Sequence, residues 1–150
     1  RHNGGGWLHD DLATLLDGKE YIRFEPRGQY IGTEPYNKWT KPSCVLIGED
    51  NYSDACGFPY VYKTLGIGKL IGAPVPGTMT AVWWENQIDP SIVFGIPQVG
   101  ALGVKEGRYL ENMQIEPDIL VYNDPASVLR GEDKQLEAAV KEMLKTIESR

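Results

Sequence analysis

The stretch from Ser43 to Gly72, "SCVLIGEDNYSDACGFPYVYKTLGIGKLIG", constrains the fold more than any other part of the chain. Its opening "SCVLIGED" is a short apolar run between turn formers, which predicts a buried strand of parallel type. The spacing then predicts a helix over 53–65 that stops at Gly66. "GKLIGAP" reads as the following strand. Strand, helix and strand within about 30 residues form a βαβ unit with a right-handed crossover.

The flanking segments add smaller elements. After the glycines Gly4–Gly6, "WLHDDLATLLDG" places Leu8, Leu12, Leu15 and Leu16 at helical spacing, with Gly18 as the stop. Residues 20–42, with Pro26, Gly28, Gly32 and Pro35, suit short strands and an exposed loop. From Thr78 to Val104, prolines and glycines divide short strands, and "DILVY" predicts another. Gly131 to Arg150 predicts an amphipathic helix with Leu136, Ala139, Val140, Met143, Leu144 and Ile147 on one face. The fold class expected is α/β with an added β-rich part.

Composition narrows the function classes. The chain has 150 residues and a net charge of −6, with scattered basic residues, which argues against non-specific nucleic-acid binding. No apolar run approaches the roughly 20 residues that span a bilayer. Cys44 and Cys56 form no CxxC and lack histidines at zinc spacing, so no metal site is expected. Two buried thiols are expected ahead of a Cys44–Cys56 disulfide. The opening "RHNGGG" has no element before it, and the chain is expected to be one part of a longer protein.

Ser53 admits two readings. It stands between a strand and a helix, at the carboxyl end of the strand, where ligand crevices of open α/β sheets lie. The free first-turn amides and the helix dipole there suit an oxyanion, as acyl transfer requires. Serine is equally a preferred helix N-cap, with Asp54 as ordinary first-turn acid, and no G-x-S-x-G elbow is present. "NGGG" can bring backbone amides to an anion or form a plain turn, and no P-loop Lys-Ser/Thr pair follows it.

The only histidines are His2 and His9. A Ser–His pair must use one of them or an imidazole from outside this chain. His9 also reads as a surface or packing residue, and His2 as solvent-facing. Glu111, Glu116 and Asp118 are acids that could orient a base, or lie solvated beside a strand. Trp83, Trp84, Tyr60 and Tyr62 suit a peptide groove, or core packing for at least half of them.

Taken in order, five segments resemble the tricorn-type and C-terminal processing serine peptidases. "RHNGGG" is similar to the end of D-x-R-x-N-x-G-G, and "NYSDACGF" to S-D-G-D-x-F, with Ala55 and Cys56 in place of Gly and Asp. "LGIGKLIGAPVPG" resembles L-G-x-G-K-x-I-G-x-x-x-x-G. "LENMQIEPDI" resembles V-E-N-x-G-V-x-P-D-I, departing at Met113–Gln114, and "RGEDKQLEAAV" resembles G-x-D-x-Q-L-x-x-A.

The resemblance implies Ser53 as nucleophile, the backbone amides of Gly5 and Asp54 as oxyanion hole, and Glu111 as the residue that orients the polar network. It implies no cofactor. The lysine base of the processing branch has no match, since no Lys lies between Leu70 and Lys105. The tricorn branch takes a histidine from a segment upstream of the glycines, so the chain alone is expected to be inactive. The implied fold is a crotonase/ClpP-like spiral of βαβ units with additional short β-strands and a C-terminal amphipathic helix. Residues 1–150 would form one C-terminal catalytic subdomain of a larger multidomain protease. Its expected partners are a peptide or unfolded protein substrate, the N-terminal part of the same chain and a homo-oligomer. An extracytoplasmic site is the expectation by analogy, with the cytoplasm as the alternative. Two other classes fit the same features: a peptide-binding or assembly module without activity, and an acyl-CoA enzyme of crotonase type, which leaves Ser53 unexplained.

Overall fold

The structure is a computed structural model that describes residues 1–149. In chain order the first elements are α1 (His9–Leu16), β1 (Ile22–Phe24), β2 (Gly32–Glu34), β3 (Cys44–Ile47) and α2 (Asp54–Leu65). They are followed by β4 (Lys69–Gly72), β5 (Ala81–Asn86), β6 (Val93–Val99), β7 (Leu102–Gly103) and β8 (Arg108–Tyr109). The chain closes with β9 (Ile119–Leu120), α3 (Pro125–Leu129) and α4 (Lys134–Glu148).

The expected βαβ unit is present. β3 and β4 pair in parallel from Cys44 opposite Lys69 to Ile47 opposite Gly72. β9 extends the sheet in parallel on the other side of β4, giving the order β3-β4-β9. Tyr62, Ile47, Leu70, Val75 and Cys56 form the buried core between α2 and this sheet. The remaining strands form three antiparallel pairs, β1–β2, β5–β6 and β7–β8.

Helix α2 accommodates Pro59 in its interior. Proline has no N–H, so the carbonyl four residues earlier loses its helical donor. That carbonyl belongs to Ala55, and the buried Asn51 side chain supplies the replacement through Nδ2 at 2.8 Å. Gly66 ends the helix in the left-handed region at φ 68°.

The two helices read from apolar spacing form, and their apolar residues pack only in part. On α1 Ala13 is buried and Leu16 packs against the core, while Leu12, Leu15 and the preceding Leu8 are exposed. On α4 the predicted stripe packs only along one edge: Ala139 is buried and Met143 half-buried, while Leu136, Val140, Leu144 and Ile147 are all about half exposed. The helix meets the sheet through Ala139 and the neighbouring Gln135. Ala139 permits close approach, and Gln135 Nε2 donates to Val121 O at 2.9 Å. The short helix α3 is unpredicted. Its signal is Asp124 as N-cap, accepting from the Ser127 amide at 3.0 Å, followed by Pro125.

Cys44 and Cys56 are free thiols, with Cys56 buried and Cys44 half-buried. Tyr62 is buried and Tyr60 packs against the core, but Trp83 and Trp84 stand exposed on β5. No helix among the described residues is long and apolar enough to cross a membrane.

Candidate active site

Ser53 occupies the position before the first residue of α2, but it does not behave as a cap. Its hydroxyl makes no capping bond, and its backbone sits at φ 55°, ψ −123°. This left-sided conformation costs a non-glycine residue about 1–3 kcal/mol and persists only where the surroundings enforce it. Two flanking contacts do so. The Ser53 amide donates to Thr78 Oγ1 at 3.3 Å, and the amides of Cys56 and Gly57 donate to the Ser53 carbonyl.

The glycine run lies against this turn. The Tyr52 amide donates to Asn3 O at 3.1 Å. Gly5 has φ 100°, and a Cβ there would fall 2.8 Å from Ser53 Cβ and 2.9 Å from the Asp54 nitrogen. Only glycine permits this approach. The structure therefore brings Gly5, Ser53 and Asp54 together. The Asp54 amide opens α2 and has no protein acceptor among the described residues. The Gly5 amide, by contrast, donates to Asn3 Oδ1 at 2.8 Å.

Glu111 reaches the turn through an intermediate segment rather than by contact. Its Oε2 accepts from the amides of Met79 at 2.8 Å and Thr80 at 2.7 Å. Residues 75–77 are fixed to the strand-like segment around Ile115 by a bridge between Val75 and Ile115 and by the Asn112 amide on Gly77 O at 2.7 Å. Thr78, between these anchors, holds Ser53 and lies 3.2 Å from Cys56 Sγ. Burial raises the Glu111 pKa, but hydrogen bonds from the Thr80 hydroxyl and the two amides outweigh it and hold the carboxyl below its ordinary value.

His9, read from sequence as a surface or packing side chain, turns into the site. Its Nδ1 bonds Asp54 Oδ1, and its ring is braced edge-on by Trp7 at 5.6 Å between centroids. His2 pairs with exposed Asp50 at 2.6 Å. Glu116 and Asp118 lie elsewhere: Asp118 accepts from the Leu70 amide at 2.8 Å and Glu116 pairs with Gln114. Ser53, His9 and Asp54 line a cavity of about 150 Å³ whose other walls include Gly57, Met79 and Val99. Trp83 and Trp84 are not among its walls.

The family model for peptidase family S41 matches residues 1–121. The chain belongs to peptidase family S41. Among S41 relatives, it is 25% identical to the Tricorn protease of Thermoplasma acidophilum over 147 residues, 98% of this chain and 14% of that one. The crystal structure of the tricorn protease superposes with a TM-score of 0.83 at 25% identity, over 99% of this chain and 14% of that chain. The photosystem II D1 C-terminal processing protease shares the fold, with a TM-score of 0.52 at 16% identity over 81% of this chain and 33% of the other. The chain thus spans about a seventh of the Tricorn protease it matches.

Proposed function

We propose that this S41 chain is the C-terminal catalytic portion of a tricorn-like serine endopeptidase, folded as part of a crotonase-like spiral. The observation that carries the reading is the strained, uncapped Ser53 placed against Gly5 and the free Asp54 amide.

Ser53 Oγ attacks the scissile carbonyl carbon, and its proton passes to an imidazole from a segment upstream of the glycines. The carbonyl oxygen becomes an oxyanion held by the Asp54 amide and by the Gly5 amide, displacing Asn3 Oδ1 from the latter. Such donors stabilise the transition state because they are oriented before charge develops. Collapse expels the amine, which takes the proton, and water then releases the acyl group. Glu111 keeps Thr78–Thr80 in place beneath the nucleophile. A peptide or unfolded protein is the substrate, and the rest of the protein and a homo-oligomer are the expected partners.

The test is labelling of the intact protein by a serine-directed fluorophosphonate. Wild type is expected to label and Ser53→Ala to remain unlabelled. Labelling of both, or of neither, overturns the assignment. The bond from Gly5 to Asn3 favours a second reading, a peptide-binding or assembly module whose oxyanion site is closed by its own side chain. Under that reading wild type stays unlabelled while still binding peptide.

A further inference from the structure

The reaction described above assigns no role to His9. Yet His9 completes a clamp between α1 and the nucleophile turn. Helix α1 has no side-chain cap of its own. Asp54 from α2 supplies the acceptor instead: Oδ2 takes the Leu8 amide at 2.9 Å and Oδ1 takes His9 Nδ1. With each oxygen engaged by a different donor, the carboxylate cannot rotate without breaking one bond. The glycine run is therefore tied to the nucleophile turn at both ends, through Asn3 O to the Tyr52 amide and through Leu8 and His9 to Asp54. The Asp54 side chain is only 11% exposed and His9 27%, so water competes weakly for these bonds.

Oxyanion donors act at about 2.7–3.1 Å, and displacement of a catalytic group by about 1 Å can cost about 100-fold in rate. A clamp that sets the approach of Gly5 to Ser53 thus bears directly on turnover.

We propose that His9 is a positioning residue for the oxyanion hole. Through the Asp54 carboxylate it fixes the Gly4–Gly6 loop against the Ser53 turn. The role rests on the serine-peptidase reading and requires only the Nδ1 donor. Asparagine carries an amide nitrogen the same number of bonds from Cα, so His9→Asn retains that donor while removing the second ring nitrogen.

The experiment measures inactivation of the intact protein by a fluorophosphonate, separating the maximal rate from the binding constant, alongside thermal melting. His9→Ala is expected to lower the maximal rate about 10- to 100-fold with the binding constant within about twofold of wild type. His9→Asn is expected to recover the rate to within about threefold. Wild-type rates in folded His9→Ala overturn the proposal. So does a His9→Asn protein that melts like wild type but labels as slowly as His9→Ala, which assigns the ring to proton transfer. Should His9→Ala fail to fold, His9→Asn alone decides by the same criterion. Absence of labelling in wild type overturns the peptidase reading itself, an outcome distinct from an unchanged His9→Ala.

Discussion

At Ser53 the backbone and the chemistry make opposite demands. As the proposed nucleophile it needs a side chain, yet it holds φ 55°, a conformation that glycine adopts without strain. Ser53→Gly and Ser53→Ala should both abolish fluorophosphonate labelling but differ in stability. The glycine variant is expected to be more stable than the alanine variant by about 1 kcal/mol, measured by urea unfolding, because alanine keeps the strain. Equal stabilities would show that the turn relaxes. The sequence makes the placement of Ser53 legible, since strand, turn, serine and helix follow in a recognisable order. It does not make φ legible: serine carries no mark of a left-handed backbone, and the Thr78 hydroxyl that helps enforce it arrives from a distant segment. The inward turn of His9 is hidden for the same reason, because its partner Asp54 is 45 positions away.

Helix α2 works as an element because a residue outside it repairs its interior. Asn51 replaces the donor that Pro59 removes, so the two positions should be energetically coupled. Asn51→Ala is expected to cost about 1–3 kcal/mol, since it leaves the Ala55 carbonyl without its bond in a buried place. In a Pro59→Ala background the same change should cost about 1 kcal/mol less, because residue 59 then has an N–H to donate. A double-mutant cycle by chemical denaturation measures the difference, and strict additivity would refute the coupling. Elements with strong local signals are legible: β3, α2, β4 and α4. Which edge of the α4 stripe packs is not, because periodicity locates the apolar stripe but cannot weigh it against Gln135, whose hydrogen bonds draw the Ala139 edge onto the sheet.

Across the whole molecule, Glu111 links the late segment near Ile115 to the turn before β5 and so to Ser53. Its pKa is depressed in the fold, so its contribution is complete above the ordinary glutamate value of 4.5 and is lost as pH falls through the lower folded value. Glu111→Gln should lose about 1–2 kcal/mol at pH 7. The gap in melting temperature between wild type and this variant should close as pH is lowered below 4.5. A gap that shows no narrowing as pH falls below the ordinary glutamate value would remove the carboxylate from this role. The long-range link is legible as a resemblance of "LENMQIEPDI" to family sequence. Its physical form, two amides on one oxygen, emerges only when the chain is folded.

Asp54 has one further consequence, for how the site can be surveyed by mutation. Its carboxylate holds the loop while its amide is the proposed oxyanion donor, and every replacement except proline alters only the first. Proline removes carboxylate and amide together, so a scan of substitutions at this position never isolates the donor. Separating the two requires an edit of the main chain, an ester in place of the amide between Ser53 and Asp54, with every side chain left as it is.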